Sequence, residues 1–502
     1  MKMDARSPLI SQDIMISDES GNVSYNGSPI FLALSTQSLI LYRNTNKTLK
    51  SIGEYPISSI VGCVNKSKKR GNETVYYIEV YAYLPVTSFC CSRPKEIVRQ
   101  RKQIDVFFGT HSSLCQRWTN AINSASAGVI PLILADNGSD VVPPKEKQFL
   151  VFVNPVSRKG TAVKIWNKAV CPMLTEANVK IHLVKTEYAN HAKEMVTERD
   201  LSIFDAILVV SGDGLLFEVI NGVANRPDSA EIFARLPICP IPGGTGNGLA
   251  KSILFESGQQ YNATNATFTT IKGTPHPLDL SRVVTRSGQV HYSFLILGWG
   301  LISDIDILSE SMRFLGELRL YLAAVYFIFR RHRYKGRLRM KLAPGGANSN
   351  GLVAKASESN NPVSVPQSTY QTFDVEAQQS QANSDNWLTI EDTFTFVWVL
   401  QTSHAAATMH SGPGCTIADG LFTIFLVREI STLQSLHLLL VMDEGGHIGN
   451  SKVERYQATE YSLEPLCEKG MYSLDGELIE YGPIQATMMP SAMKVLNMPT
   501  SL

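Results

Sequence analysis

Three short glycine-rich stretches carry the residue types in this chain that can do chemistry. They are Asn154-Pro155-Val156-Ser157-Arg158-Lys159-Gly160, Ser211-Gly212-Asp213-Gly214 and Gly243-Gly244-Thr245-Gly246-Asn247-Gly248. Each follows an apolar run, and backbone N–H groups freed by glycine, together with a following helix N-terminus, make an anion site. One such turn is commonplace and usually structural. Three at corresponding strand ends point to a nucleotide phosphate site. Asp213, between two glycines, can bring a carboxylate up to a bound phosphate without side-chain crowding.

Other phosphate and catalytic signatures are absent. There is no G-x-x-x-x-G-K-[ST] loop, and Gly244-Thr-Gly246-Asn-Gly248 lacks the third glycine of the dinucleotide fingerprint. No H-R-D, D-F-G or G-x-S-x-G motif occurs, which excludes the protein-kinase and commonest hydrolase readings.

The elements that would hold these loops follow from the apolar pattern. Phe149–Val153, Val179–Val184, Ala206–Val210 and Leu236–Ile241 read as continuous apolar strands. They alternate with helical spacing over Ala162–Thr175, His191–Arg199, Leu215–Val223 and Thr245–Ile253. That alternation predicts an α/β nucleotide-binding domain with a parallel sheet covered on both faces, over 148–278. In such a sheet ligands bind beyond the carboxyl ends of the strands, where all three loops fall. Residues 279–495 turn β-rich, with strands over Thr393–Leu400, Leu421–Val427 and Leu436–Val441. The expectation there is an antiparallel β-sandwich domain interrupted by one helix, Met312–Phe329. Pro344 to Asn386 is rich in Ser, Asn, Gln and Gly and reads as a disordered insert, 344–386.

Residues 1–134 contain alternating runs at Ile30–Leu34, Leu39–Tyr42, Ile57–Val61, Val75–Val80 and Ile104–Phe108. A helix follows over Ser112–Ser124, with Leu114, Trp118 and Ile122 on one face. Strands closed by one Trp-bearing helix look like a pleckstrin-homology-like module; another small β-barrel is the alternative. Ala135 to Lys147, rich in Pro, Gly and charge, reads as a linker (135–147). The cluster Lys66-Ser-Lys-Lys-Arg70 is expected in a loop.

The 502 residues carry 46 basic and 45 acidic side chains, a net charge of +1. This excludes a strongly basic chain that tracks phosphate backbones, so no nucleic-acid partner is expected. The eight cysteines show no C-x-x-C pair and read as buried free thiols. No apolar core of a secretory signal stands at the N-terminus, and no apolar run is long enough to span a bilayer. The expectation is a cytoplasmic protein.

Ser211-Gly-Asp-Gly-Leu-Leu-Phe-Glu-Val-Ile-Asn-Gly222 resembles the signature of the lipid kinases that include diacylglycerol, ceramide and sphingosine kinases. Asn154-Pro155, Thr186 to His191, Pro242-Gly-Gly-Thr-Gly-Asn-Gly248 and Asp475-Gly476-Glu477 follow in that family's order, over roughly 148–490 without the insert. Glu218-Val-x-Asn-Gly222 and Trp299-Gly-Leu-Ile-Ser-Asp304-Ile-Asp306, followed by Glu310, Arg313 and Arg319, look most like sphingosine kinases. The cysteine cluster of ceramide kinases is missing, although a ceramide or broad-specificity lipid kinase stays the alternative.

The resemblance implies phosphoryl transfer from ATP, with Mg²⁺, to the primary hydroxyl of a sphingoid base. It makes Asp213 the general base. It gives the nucleotide Asn154, Pro155, Val156, Thr186, Glu187, Tyr188, Ala189, Asn190, Ser211, Gly212, Glu218, Gly244, Thr245, Gly246, Arg313, Arg319, Asp475, Gly476 and Glu477. No metal ligand is identified. Asp306, or Asp304 two residues away, would pair with the lipid ammonium. Val156-Ser-Arg departs from the glycine-rich stretch common in relatives. Leu322, Val325 and Tyr326, at i, i+3 and i+4 on one helical face, match a hydrophobic membrane patch, which implies peripheral recruitment to membranes.

Overall fold

The computed structural model describes residues 14–18, 23–45, 48–87, 96–129, 143–310, 318–330, 333–346, 386–428, 430–442 and 445–499. The expected insert lies outside the described residues from 347 to 385, as does the linker from 130 to 142.

Residues 14–126 form two antiparallel sheets closed by one helix. The first sheet pairs Ile14–Asp18, Phe31–Ser35, Ser38–Thr45 and Thr48–Pro56 in that order. The second runs from the short hairpin Ser24–Tyr25 and Ser28–Pro29 through Ile97–Phe107 and Glu73–Thr87 to Ile60–Arg70. The helix Ser112–Ser126 buries Cys115, Trp118, Ala121 and Ile122 against Leu32, Leu34, Leu39, Ile78, Val80 and Ile104. The apolar spacing read from the sequence therefore marks the buried face. One strand went unread, and one reading needs correction. Thr48–Pro56 is a strand that buries little besides Tyr55, so it carries no alternation to detect. Lys66–Arg70 is the end of the Ile60–Arg70 strand, not a loop. Lys66 pairs with Glu79 at 2.6 Å, and Lys68 lies over the Tyr77 and Phe107 rings.

The α/β domain has four parallel strands in the order Lys180–Lys185, Gln148–Val153, Ala206–Ser211, Ile238–Pro242. The two central strands are almost wholly buried, as continuous apolar runs require when helices cover both faces. Strand order reverses between Gln148–Val153 and Ala206–Ser211, and the crevice at that switch point opens between Asn154 and Gly212.

The C-terminal domain is one antiparallel β system. Thr274–Val284 pairs with the last strand, Ile484–Asn497, so the domain opens at Thr274 and closes at Asn497. Tyr334–Leu342, Trp387–Leu400, Phe422–Arg428 and Val453–Pro465 pair in a closed cycle. Two helix readings differ from the expectation. Instead of one helix over Met312–Phe329 there are two, Leu301–Glu310 and Leu318–Arg330, with 311–317 outside the described residues. The expected strand Leu436–Val441 is a helix, Thr432–Met442. An apolar run of that length is ambiguous by periodicity. Ser431 and Gln434 decide it through a reciprocal cap, with Gln434 N–H donating to Ser431 Oγ and Ser431 N–H to Gln434 Oε1.

The three parts share cores. Leu278, Phe294, Phe396 and Trp398 of the β domain pack with Leu150, Val209 and Leu216 of the α/β domain. Val61, Tyr81 and Tyr83 of the N-terminal module pack with Phe149, Val151 and Leu208. Polar contacts reinforce the second junction. Glu176 accepts from Tyr83 Oη at 2.8 Å and from Arg101 Nε at 2.7 Å. Lys272 Nζ donates to the carbonyl oxygens of Ser126 and Ile57. Gly62 sits so close that a Cβ there would lie 2.1 Å from the Glu176 carbonyl oxygen. The N-terminal module is thus packed into one body with the α/β domain.

Replacing Glu176 by Ala strands a buried hydroxyl and a half-exposed guanidinium, so stability should fall by about 1.5–3 kcal/mol. The chemical-denaturation midpoint of the full chain measures this. An unchanged midpoint would show that the junction does not depend on Glu176.

Candidate active site

The carboxyl ends of the four parallel strands bring the three glycine-rich loops together. At the first, Asn154 Oδ1 accepts from Val156 N–H at 3.0 Å, and Val156 itself is exposed. At the second, Ser211 is buried and its carbonyl oxygen accepts from Gly243 N–H at 2.9 Å, which ties the second loop to the third.

Asp213 opens the helix Asp213–Ala224 and is buried. Its Oδ2 accepts from the N–H groups of Asn247 and Gly248, the latter at 2.8 Å, at the start of the helix Gly248–Glu256. Burial pushes the Asp213 carboxyl up to about 6, against the lowering effect of these N–H groups. The glycines let the backbones meet. A Cβ on Gly244 would lie 2.4 Å from Gly212 Cα, and one on Gly246 would lie 2.8 Å from Asp213 Oδ2.

Asn247 organises the third loop, a role the sequence reading missed. It adopts a left-handed backbone (φ 76°), accepts through Oδ1 from Gly243 and Gly244 N–H, and donates through Nδ2 to the Gly244 and Gly246 carbonyl oxygens. An Asn at the end of a glycine run is the signal, because Asn tolerates that backbone and can hydrogen-bond its own turn.

At the edge of the crevice, Thr186 continues the sheet with its N–H on the Val153 carbonyl oxygen. Tyr188 is exposed, stacks on His191 with ring centres 4.7 Å apart, and donates to Glu194. Glu187 N–H donates to His191 Nδ1, and Ala189 and Asn190 complete an exposed turn. Glu218 faces the N–H groups of Asn190 and Ala192, and burial raises its carboxyl above the ordinary range. Its Oε2 has no hydrogen-bond partner among the described residues.

Asp475 and Gly476 form the two-residue turn of the hairpin Tyr472–Leu474 and Glu477–Ile479, both at positive φ, as a primed turn requires. The Asp475 carboxylate points into the β domain. It accepts from Ser293 Oγ and from the N–H groups of Phe294, Leu295 and Ile296, and burial raises it to about 7. It anchors the hairpin, and Glu477 is the member of this triplet that reaches the Ser211–Gly214 turn. A Cβ on Gly214 would lie 2.6 Å from Glu477 Oε1, so glycine is what admits that carboxylate.

Asp304 and Asp306 both lie on the helix Leu301–Glu310 and have separate environments. Asp304 is buried and accepts from Tyr334 Oη. Asp306 is half-buried and accepts from Ser473 Oγ, two residues before Asp475 on the hairpin that carries Glu477. Arg313 lies outside the described residues, as does the Arg319 side chain. Leu322, Val325 and Tyr326 stand 40–49% exposed, and Phe329, one turn on and missed by the sequence reading, is 71% exposed. The opposite face buries Ala323, Ala324, Phe327 and Ile328.

Residues 148–283 match the diacylglycerol kinase catalytic domain family, and 348–497 match the YegS C-terminal NAD kinase beta sandwich-like domain. The sphingosine kinase 1 of Homo sapiens is 33% identical over 70% of this chain and 91% of its own length. The sphingosine kinase 1 of Arabidopsis thaliana is 32% identical over 67% and 70%. The sphingosine kinase 2 of Homo sapiens is 26% identical over 98% of this chain and 92% of its own. A diacylglycerol kinase structure from Bacillus anthracis str. Sterne shares the fold, with a TM-score of 0.50 at 19% identity over 71% of this chain and 99% of that one. With the carboxylate-bearing S-G-D-G turn, the phosphate loops and the β-sandwich in these positions, the chain belongs to the sphingosine kinase family of lipid kinases built on the diacylglycerol kinase catalytic domain.

Proposed function

We propose that the protein transfers the γ-phosphate of ATP to the primary hydroxyl of sphingosine or a related sphingoid base, giving sphingosine 1-phosphate. The observation that carries this reading is the buried Asp213, fixed by two backbone N–H groups at the meeting point of the glycine loops. Its carboxylate takes the hydroxyl proton as that oxygen bonds to the γ-phosphorus and the bond to the bridging oxygen of ADP breaks. Ser211, Gly212, Gly244, Thr245 and Gly246 line the phosphates with Asn154, Pro155 and Val156. Thr186, Glu187, Tyr188, Ala189 and Asn190 flank the base and ribose, and the open oxygen of Glu218 suits a ribose hydroxyl. Arg313 and Arg319 neutralise the transferring phosphate.

Among the described residues no group of three or more His, Cys, Asp or Glu is placed to hold a metal. Mg²⁺ does not need such a group, since it is ordinarily held by one or two carboxylates together with substrate phosphates. Glu477, beside Gly214, is the side chain suited to hold it. Bound there, Mg²⁺ would draw charge from the β- and γ-phosphates. Asp475 supports the site by fixing the hairpin beneath Glu477.

A carboxylate suits a substrate with a free amine. Asp306, half-buried beside the Glu477 hairpin, is the better partner for the ammonium than Asp304, which packs under Tyr334. A cavity of about 60 Å³ lined by Leu301, Phe327, Ile328, Phe394 and Ile430 marks the apolar side of the same region. It is well below the ~300–1,000 Å³ of ordinary ligand pockets, so a long tail needs the surrounding helices to part. Docking on a membrane through Leu322, Val325 and Tyr326 would let the tail pass without crossing water, which costs about 0.8 kcal/mol per CH₂. No helix among the described residues is long and apolar enough to cross a membrane. What supports peripheral visits to membranes by a cytoplasmic protein is the exposed stripe of Leu322, Val325 and Tyr326. Within the module 1–134, the two sheets and one helix of residues 14–126 fit a pleckstrin-homology-like fold, joined by the linker 135–147 to the kinase domain, 148–278, and the lipid-binding domain, 279–495.

An ATP-dependent assay across sphingoid bases, ceramide and diacylglycerol tests the substrate, and preference for ceramide overturns it. Asp213→Asn should lower turnover by a factor on the order of 10²–10⁴. Because Asp213 must be ionised to accept a proton and burial raises it to about 6, kcat/KM should fall about tenfold per pH unit below that value. A profile flat to about pH 5, or turnover within threefold of the parent, removes Asp213 from proton transfer. Asp306→Asn should raise KM for sphingosine and spare KM for ATP, at a cost of roughly 1.5–3 kcal/mol of substrate binding. If ATP affinity alone changes, the head-group assignment fails.

A further inference from the structure

The helix Thr432–Met442, Thr-Leu-Gln-Ser-Leu-His-Leu-Leu-Leu-Val-Met, contains no Asp, Glu, Lys or Arg, yet it lies at the surface. Its inner face buries Ser435, Leu438 and Met442. Its outer face presents Leu433, 79% exposed, and Leu440, 64% exposed, at i and i+7, with exposed His437 between them. A water-facing helix ordinarily carries charge on that side. This one does not.

Two observations say what covers it. The helix packs against Leu318–Arg330, which exposes its own apolar stripe of Leu322, Val325, Tyr326 and Phe329. Both helices also line the same cavity, through Phe327 and Ile328 on one side and Thr432 and Ser435 on the other, with Arg333 at its wall. Arg330, which donates to Tyr326 Oη, adds a second cation beside the stripe. Apolar side chains on two neighbouring helices, with cations beside one of them, match the chemistry of an anionic bilayer surface. From this we propose that the membrane-docking surface is bipartite. Leu433 and Leu440 of the Thr432–Met442 helix insert beside the Leu318–Arg330 stripe, so that lipid is met on both sides of the cavity. This rests on the lipid-kinase reading and adds a surface that reading does not require.

The test uses the full chain with phosphatidylcholine vesicles containing phosphatidylserine and trace sphingosine. Leu433→Gln with Leu440→Gln should reduce vesicle partitioning by roughly tenfold or more. Turnover of detergent-dispersed sphingosine and the melting temperature should stay close to the parent's. Leu433→Trp, at the most exposed position, gives a second readout: the added tryptophan should be quenched by brominated lipid. Unchanged partitioning of the double variant, or no added quenching, overturns the proposal. So does a concentration-dependent dimer of the parent that the double substitution dissolves, because the face would then cover a second copy. If the parent phosphorylates sphingosine in neither detergent nor vesicles, the substrate reading fails instead, and the partitioning data still decide the docking surface.

Discussion

A single carboxylate oxygen holds the catalytic end of this protein together. Asp213 Oδ2 accepts the N–H groups of two consecutive residues, Asn247 and Gly248, and so joins the loop after one central strand to the loop after its neighbour. The arrangement requires that nothing stand between the two backbones, which is why glycine occupies 244 and 246. It also requires the carboxylate to be buried. Burial raises its proton affinity while the N–H groups oppose that rise, and the two effects leave the group near the range where a base can work.

A second buried carboxylate does analogous work in the β domain. Asp475 collects four hydrogen bonds from residues 293–296 and thereby fixes the hairpin that brings Glu477 against Gly214. The nucleotide loops and the β domain are therefore registered through a carboxylate at each end, over a core that runs continuously from Leu150 to Trp398. Asp213 ties the loops together at the crevice, and Asp475 holds the hairpin that carries Glu477 towards it.

The parallel sheet and its loops were legible because continuous apolar runs, each closed by a glycine turn, suit few arrangements besides a sheet covered on both faces. The inward face of the Ser112–Ser126 helix was legible for a similar reason, through the spacing of Trp118 and Ile122. Elsewhere local pattern and tertiary context diverged. The Leu436–Val441 run fits a strand or a helix equally well, and its helical state is set by the Ser431–Gln434 cap just upstream. Thr48–Pro56 is a strand because its neighbour offers a free edge, not because of its own side chains. Asp475 was singled out by resemblance to a family motif, yet such a resemblance cannot show that its oxygens face inward. Among site residues, Asn247 was overlooked because its role is to hold its own loop, which only the backbone geometry reveals.

The junction between the N-terminal module and the kinase domain has a consequence for how the chain comes to be folded. Arg99 N–H donates to the side chain of Asn265, 166 residues further along, and Lys272 closes onto Ser126 across 146. Val61, Tyr81 and Tyr83 join a core whose other buried members all come from the α/β domain. During synthesis at about 5–20 residues per second, the module would emerge roughly 10–30 s before the surface that covers it. Through that interval an apolar, aromatic face stands open on a nascent chain. The module can acquire its own Trp118 core early, but its final shape waits on the ribosome.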